Sequence, residues 1–210
     1  MSAASPETVY FFTLNCARLP QNPSALAAAI APTLPSTAPG LILLSLQEIA
    51  PLGPSFLGGT YLAPYLDAFA AAVALATTTA YSDAYALHGS HNVGLTALLV
   101  FAHPALALPA PQWAGVGLGV LGLGNKGALG VRLALPHTRL TAVAVHWAPH
   151  ESGAARRDAD WAATARALAF DGAGLFDRAA HLVVFGDLNY RTAGARPAPR
   201  TPLPDRKSVV

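Results

Sequence analysis

Short apolar segments alternate with helical segments along most of this 210-residue chain, and this alternation limits its fold more than any other feature. Three apolar segments have the length and composition of strands, and each ends in a polar residue: Val9–Asn15, Leu41–Gln47 and His181–Asp187. Asn22 and Pro23 form a helix start, so a helix is predicted at Ser24–Ala31, and a second helix is predicted at Leu62–Thr78. Strands alternating with helices are typical of a mixed α/β domain.

The middle of the chain contributes further strands. One is predicted at Gly94–Phe101, where Pro104 ends the apolar run. Leu129–Leu135 and Leu140–His146 are predicted to form a hairpin pair. The segment Gly115–Gly127, which lies between these strands, is predicted to be a glycine-rich loop or an irregular strand.

The last part of the chain combines a helix with a tail of different composition. Ser152 is a suitable cap for a helix running through Phe170, and its buried face would carry residues at helical spacing, namely Trp161, Ala165 and Leu168. After Arg191 the sequence becomes rich in Pro, Ala and Arg without periodicity. We therefore expect one domain over residues 8–192 and a disordered tail over residues 193–210.

Composition narrows the range of partners and compartments. The net charge of +2 is too small to indicate binding to nucleic acid or to a strongly anionic surface. The segment Leu62–Ala80 is apolar, but it contains Asp67 and many small residues, so we predict a buried helix rather than a membrane span. The single cysteine, Cys16, excludes an internal disulfide and fits a reducing compartment, and the expected location is the cytoplasm with peripheral contact at membranes.

Polar side chains stand at the ends of four predicted strands. They are Asn15, the pair Gln47-Glu48, His146, and the pair formed by Asp187 and Asn189. Because α/β sheets place their sites at the carboxyl ends of strands, we expect these groups to converge on one pocket. Glu48, Asn15, Asp187 and Asn189 supply the oxygen atoms that Mg²⁺ prefers, and His146 supplies a donor for a phosphate oxygen. Taken singly, each of these groups also fits a solvated loop, a tight turn or a structural histidine.

Five short motifs follow one another in order along the chain. They are Phe12-Thr13-Leu14-Asn15, Leu46-Gln47-Glu48, residues 121–128 (Leu-Gly-Leu-Gly-Asn-Lys-Gly-Ala), His146-Trp147-Ala148-Pro149-His150 followed by Arg157-Asp158-Ala159-Asp160-Trp161, and residues 185–191 (Phe-Gly-Asp-Leu-Asn-Tyr-Arg). In this order they resemble the motifs of the inositol-polyphosphate 5-phosphatases. The resemblance runs from about Val9 to Arg191, and the Asn-Lys-Gly and Gly-Asp-Leu-Asn-Tyr-Arg stretches are its most specific parts. Glu48 by itself would indicate only the wider endonuclease/exonuclease/phosphatase superfamily.

The resemblance implies a fold, an activity and roles for individual residues. The fold would be two packed mixed sheets flanked by helices. The activity would be Mg²⁺-dependent hydrolysis of a phosphate monoester in phosphatidylinositol phosphates or inositol polyphosphates. Glu48 would hold the cation with Asn15 close by, Asp187 would deprotonate the attacking water, Asn189 would hold the water or the phosphate, and His146 would donate to the transferred phosphate. The remaining phosphate-binding and supporting residues would be Lys126, Asn125, His150, Arg157, Tyr190 and Arg191.

The sequence departs from the family pattern in two places. The family normally continues past the Asn-Tyr-Arg motif with a Lys/Tyr/Arg segment, a Trp-x-Asp-Arg stretch and a final Ser-Asp-His. Here Pro202–Arg206 matches the Asp-Arg stretch only weakly, and no Asp-His follows. The expectation is therefore a chain that is incomplete at its C-terminus and has low turnover. In addition, Asp158 stands where the family usually has Asn.

There are two alternative functions. The first is a phosphoinositide-binding protein without catalytic activity, in which Lys126 and Arg191 bind phosphate but turnover fails. The second is another superfamily phosphodiesterase, such as a nuclease, which would be expected to show a basic stripe. The net charge of +2 gives no indication of such a stripe.

Overall fold

The computed structural model describes residues 8–51, 59–119 and 126–190, in which two four-stranded sheets pack face to face and helices cover both outer faces. In chain order the strands are β1 (Val9–Asn15), β2 (Leu41–Gln47), β3 (Ala86–Val93), β4 (Thr96–Ala102), β5 (Gln112–Gly117), β6 (Gly127–Ala134), β7 (Arg139–His146), β8 (Ala169–Phe170), β9 (Ala173–Gly174) and β10 (His181–Asp187). The helices are α1 (Pro23–Ile30), α2 (Gly59–Tyr81) and α3 (Ala154–Ala167). The predicted two-sheet α/β sandwich is confirmed. The predicted disordered tail, including the domain boundary at residue 192, lies outside the described residues.

The two sheets share one arrangement of strands. The first has the order β1-β2-β4-β3 and the second the order β10-β7-β6-β5. In each sheet the first strand runs parallel to its neighbour, whereas the other pairs are antiparallel. Asn15 therefore pairs with Gln47, and Asp187 pairs with His146, in matching registers at the carboxyl ends of the two parallel pairs. All four predicted polar strand ends are placed by this topology.

Strand β2 is buried along its whole length, which explains its nearly continuous apolar sequence. Leu41 and Leu43 face the core between the two sheets, where they join residues of β4, β6 and β7. Ile42, Leu44 and Leu46 face the opposite side, where they pack with α1 and α2. A strand with both faces covered shows no alternation of apolar and polar residues, and its two polar residues, Ser45 and Gln47, are buried and bonded to each other.

Helices α1 and α2 cover the outer face of the first sheet. Helix α1 begins as predicted, because the Asn22 side chain accepts a hydrogen bond from the Ala25 N–H at 3.1 Å and Pro23 takes the first helical position. Helix α2 is longer than predicted and carries Pro64 within its first two turns. Its Phe69 and Val73 side chains are buried in the cluster that joins both helices to the sheet.

The segment Tyr61–Tyr81 of α2 is also long and apolar enough to cross a membrane, by length and composition, with a mean hydropathy of 1.2. One side of this helix packs on the first sheet, where Phe69, Ala72, Val73 and Ala76 are buried. In the described part of the chain it is the one helix that meets this criterion.

Helix α3 differs from the sequence prediction in its bounds and in its buried face. It begins at Ala154 after a short 3-10 turn, without a side-chain cap from Ser152, and it ends at Ala167. Its fully buried positions are polar, namely Arg157, Asp160 and Thr164. Trp161 and Ala165 are only partly buried, and Leu168 is buried beyond the end of the helix. The apolar spacing predicted the wrong face, because the buried side chains of α3 are polar and form hydrogen bonds to the backbone of the loop after β7.

Two strands, β3 and β5, were missed or only partly predicted. Each is the outermost strand of its sheet, opposite the parallel pair. Strand β3 contains His88, Gly89 and His91 and has an irregular register between Leu87 and Gly89. Strand β5 carries two glycines in six residues. Edge strands that are half-exposed and poor in β-branched residues have a weak sequence signal, because pairing to a neighbouring strand and not local preference stabilises them.

The buried Arg132 of β6 joins the second sheet to the short ribbon of β8 and β9 and to Asp177, which follows the ribbon. The Arg132 side chain is 6% exposed, and its Nη1 lies 3.3 Å from Oδ2 of Asp177. Its guanidinium also donates to Thr141 Oγ1 at 3.0 Å and to the Phe170 carbonyl at 3.3 Å, and it lies over the Phe170 ring. Arg139 reaches the same Asp177 carboxylate at 3.5 Å, but its side chain is 55% exposed.

We expect Arg132→Ala to lower the free energy of unfolding by about 3–5 kcal/mol, because the mostly buried Asp177 carboxylate loses its buried partner and three acceptors, in Thr141, Phe170 and Gly174, lose their donor. Arg139→Ala is the matched control, and an exposed ion pair predicts a loss of at most about 1 kcal/mol. Urea denaturation followed by circular dichroism measures both. Equal losses for the two variants would show that burial does not set the strength of the Asp177 pairs.

Candidate active site

The carboxyl ends of β1, β7 and β10 meet at one end of the sandwich, and three predicted site residues are in contact there. Asn15 Nδ2 donates to Oδ2 of Asp187 at 3.4 Å, which joins the two sheets across their edges. His146 Nε2 lies 3.6 Å from the same Asp187 oxygen. His146 itself is 1% exposed, whereas the Asp187 side chain is 31% exposed, so the carboxylate faces solvent and the imidazole stands behind it.

Lys126 extends this cluster on the side of β6. Its Nζ is in hydrogen-bond contact with Nε2 of His146. Burial lowers the pKa of the Lys126 ammonium, and the negative charges of Glu48 and Asp187 oppose this shift. The ammonium, the imidazole and the Asp187 carboxylate therefore lie side by side. This arrangement can bind an anion at the ammonium while the carboxylate acts on a neighbouring group.

Glu48 follows β2 directly and lies within electrostatic reach of Lys126. Its backbone is left-handed, with φ of 51°, which is uncommon for a residue with a side chain. Its Oε2 lies 3.2 Å from Nε of Arg18. Arg18 was not identified from the sequence. The only available signal was a cation three residues after Asn15, which on its own is also typical of a solvated loop.

The Asp187–Asn189 turn is shaped by hydrogen bonds of its own. The Asn189 N–H donates to Oδ1 of Asp187 at 3.1 Å, and Asn189 Nδ2 donates to the Trp147 carbonyl at 3.0 Å. Asn189 is left-handed, with φ of 55°. These bonds hold one carboxylate oxygen of Asp187 and leave Oδ2 on the side of Asn15 and His146. The predicted role of Asn189 with water or phosphate stays a prediction.

The backbone before Asp187 requires a glycine, Gly186. Its φ is +120°, a conformation that side-chain-bearing residues rarely adopt. A Cβ atom at this position would lie 2.4 Å from the Val145 carbonyl oxygen and 3.0 Å from Ser45 Oγ. The bare backbone at Gly186 thus lets β10 lie against β7 and directs the Asp187 side chain into the cluster.

We expect Gly186→Ala to lower the free energy of unfolding by more than about 2 kcal/mol, because backbone strain and a backbone clash act together. Gly174→Ala is the matched control, since a Cβ there meets nothing within 4 Å and its effect should stay within about 0.5 kcal/mol. Chemical denaturation of the two variants checks the difference. A Gly186→Ala protein as stable as the wild type would contradict the close approach of β10 and β7.

The other predicted phosphate-binding residues surround the loop after β7. Arg157 is 2% exposed, and its Nη1 donates to the carbonyls of Ala148 at 3.2 Å and His150 at 2.6 Å. Its guanidinium also lies over the Tyr190 ring, 5.3 Å from the centroid. Arg157 therefore holds the loop from inside, and His150 is exposed at its end with φ of 70°. Direct phosphate contacts by His150, Arg157 and Tyr190 stay predictions.

Tyr190 and Asp158 form an exposed pair beside this loop. The Tyr190 hydroxyl donates to Asp158 Oδ1 at 2.7 Å. This hydrogen bond raises the pKa of Tyr190 above its usual value, with a smaller effect of burial. Asp158 stands where an Asn was expected. Through this contact it helps to place the Tyr190 ring. Asn125 and Arg191, also predicted to bind phosphate, lie outside the described residues.

The residues at this site fit a magnesium ion. Mg²⁺ in proteins binds one or two carboxylates, retains several waters and takes the remaining oxygens from substrate phosphate. Glu48 offers one carboxylate and the neighbouring Asn15 an amide oxygen, which already accepts the Ala17 N–H at 3.0 Å. Among the residues that the structure describes, no group of three or more His, Cys, Asp or Glu side chains stands together as a metal site. Cation binding therefore stays a prediction that rests on a single carboxylate.

The described residues thus form a two-sheet α/β sandwich with acid, amide, imidazole and ammonium groups at the ends of its strands. The family described as Endonuclease/Exonuclease/phosphatase family 2 matches residues 12–203. The chain belongs to this family. A comparison with curated protein sequences gives no match.

Comparison with solved structures shows the same fold. The inositol polyphosphate 5-phosphatase domain of SPsynaptojanin, solved with inositol (1,4)-bisphosphate and a calcium ion, is 22% identical with a TM-score of 0.69, over 88% of this chain and 52% of that one. D. rerio TDP2, humanised by 14 mutations, is 12% identical with a TM-score of 0.50, over 89% of this chain and 67% of that one. The chain thus spans about half the length of the synaptojanin domain.

Proposed function

We propose that this protein hydrolyses a phosphate monoester of phosphatidylinositol phosphates or inositol polyphosphates and that the reaction requires Mg²⁺. The observation that carries the proposal is the contact cluster of Asn15, Lys126, His146 and Asp187 at the carboxyl ends of the strands. It combines an acceptor for a proton with two donors for an anion. Phosphoryl transfer depends mainly on positioning and on neutralising charge, so these are the groups it needs.

Each residue of the cluster has a distinct task in this proposal. Asp187 orients a water molecule and accepts its proton at Oδ2, the oxygen directed toward Asn15 and His146. His146 and Lys126 donate to the phosphate oxygens, and their burial strengthens these interactions by excluding water. Asn189 keeps the carboxylate in place through its backbone N–H.

Glu48 and Asn15 are the residues that would hold Mg²⁺. The ion, when bound, neutralises negative charge on the phosphate undergoing transfer. The strained backbone at Glu48 supports this assignment, because left-handed residues with side chains cluster at functional sites.

The substrate class is supported by two observations. The chain carries the ordered motifs of the inositol-polyphosphate 5-phosphatases, and the neighbouring synaptojanin domain was solved with inositol (1,4)-bisphosphate. In addition, the site has several cations in a chain whose net charge is only +2, which suits a small polyanion better than a long nucleic acid. Contact with a membrane surface during turnover of a lipid substrate is part of the proposal.

Phosphate release from a panel of substrates tests the function. The panel contains soluble inositol polyphosphates, vesicles with phosphatidylinositol phosphates, and single-stranded DNA with a terminal phosphate, each assayed with Mg²⁺ and with EDTA. We expect release from the inositol compounds only, and only with Mg²⁺. Cleavage of the DNA strand, seen on a denaturing gel, without phosphate release from the inositol compounds would support the phosphodiesterase or nuclease alternative. Binding of inositol phosphates without release would support the non-catalytic alternative.

A further inference from the structure

The loop after β1 holds Arg18 in a fixed position beside Glu48. Its backbone is tied to the end of β2, because the Cys16 N–H donates to the Gln47 carbonyl and the Arg18 N–H donates to the Glu48 carbonyl, both at 2.8 Å. Ala17 and Arg18 are both left-handed, with φ of 50° and 62°. Two successive left-handed residues with side chains are unfavourable, so they persist only where the surrounding structure imposes them.

This backbone directs the Arg18 side chain to the predicted cation ligand. Its Nε lies 3.2 Å from Oε2 of Glu48, the side chain of which is 21% exposed. Arg18 itself is 40% exposed, so its guanidinium can leave the carboxylate without opening the core. An ion pair between partly exposed groups is weak enough for another cation to displace it.

The charges around Glu48 are balanced in this arrangement. Two cations accompany the carboxylates of Glu48 and Asp187: Arg18 pairs with Glu48, and Lys126 interacts with both acids, with Arg18 and more weakly with Asp160. A divalent cation on Glu48 would add two positive charges to this balance and repel the guanidinium. A phosphate dianion would then restore the balance, and arginine is well suited to bind it through two N–H groups at once.

We propose that Arg18 occupies Glu48 when no cation is bound and turns to the substrate phosphate when a divalent cation takes that carboxylate. The inference rests on the proposed function, since it assumes that Glu48 binds the cation. Arg18 thereby competes with the cation but favours the phosphate. Removing the guanidinium should therefore raise the affinity for the cation and lower the affinity for phosphate. A purely structural role would not change these two affinities in opposite directions.

Arg18→Asn is the variant that tests the proposal, because asparagine tolerates the left-handed backbone and the loop should keep its shape. Titration with Mn²⁺, followed by the electron paramagnetic resonance signal of the free ion, should show binding about 2- to 5-fold tighter than in the wild type. Binding of inorganic phosphate in the presence of Mn²⁺, measured by calorimetry, should weaken about 10-fold or more. Arg18→Lys retains the charge and should change Mn²⁺ affinity less than Arg18→Asn does.

Arg139→Asn serves as the control for the loss of one exposed positive charge, because Arg139 pairs with Asp177 and not with a predicted site residue. It should leave both affinities unchanged. Unchanged or weaker Mn²⁺ binding by Arg18→Asn, or unchanged phosphate binding, would overturn the role of Arg18, and so would a wild type that binds no Mn²⁺. Wild-type protein that binds Mn²⁺ and phosphate with the expected Arg18 effects, but releases phosphate from no inositol compound, would instead contradict only the proposed function.

Discussion

Replacing Asp187 with asparagine should lower Mg²⁺-dependent phosphate release by about 10²- to 10⁴-fold, because the amide cannot accept the proton of the attacking water. The substitution preserves size, and one side-chain oxygen can still accept the Asn189 N–H. The loss is therefore chemical rather than structural. Initial rates at saturating substrate, together with thermal melting of the same samples, separate lost turnover from lost folding.

Asp67→Asn is the matched control for the Asp187 variant, since it makes the same chemical change at an exposed position on α2. It should retain the wild-type rate. If Asp187→Asn kept its activity while remaining folded, another group would have to accept the proton, and the role assigned to Asp187 would be wrong.

Iodoacetamide should alkylate Cys16 at pH 8 about a thousandfold more slowly in the folded protein than in urea, because only the thiolate reacts. Burial, helped by the negative charge of Glu48, raises the pKa of the Cys16 thiol from 9.0 to about 12. The fraction of thiolate falls tenfold for each unit by which the pKa rises, and the limited access to a buried side chain slows the reaction further. Since Cys16 is the single cysteine, mass spectrometry of the intact chain follows the reaction directly.

The pH dependence of this reaction distinguishes a raised pKa from simple shielding. Because the pKa is raised, the thiolate population of the folded protein should continue to grow tenfold per pH unit through pH 9 and 10, whereas the unfolded chain levels off near its ordinary pKa. A folded-state rate within tenfold of the unfolded rate at pH 8 would show that the loop between β1 and α1 opens readily. Such opening would also weaken the case for a fixed Arg18.

Much of the sheet architecture was predictable because most of its strands are apolar runs with clear ends. The bounds of β1, β2 and β10 agree with the predictions, since each is an apolar run that stops at a polar residue needed at the edge of the sheet. Strands β3 and β5 were not predicted in full because they are partly exposed, contain glycine and are poor in β-branched residues. Helix α3 was predicted with the wrong buried face, because its buried Arg157 and Asp160 bind the backbone of the loop after β7.

Part of the candidate site was also predictable from the sequence, and part was not. The positions at strand ends predicted that three residues converge, namely Asn15, His146 and Asp187. The parallel pairing of β1 with β2 and of β7 with β10 brings them together. The contact between Lys126 and His146 follows from the antiparallel pairing of β6 and β7. Arg18 was not foreseen, because its proximity to Glu48 depends on a left-handed turn that no residue type in the loop encodes.

The sequence by itself determined the layered α/β fold, most of its strands and the order of the chemical groups along the chain, because apolar runs that end in polar residues are visible in local composition. Only the tertiary structure decided which charges meet. Residues 15 and 187 are far apart in sequence, and their contact exists because two sheets pack with their parallel edges together. The same packing turns Arg157 inward to backbone carbonyls and leaves Arg18 beside a carboxylate, although the two residues carry the same side chain. Their difference lies in burial and in the acceptors within reach, which are properties of the folded chain alone.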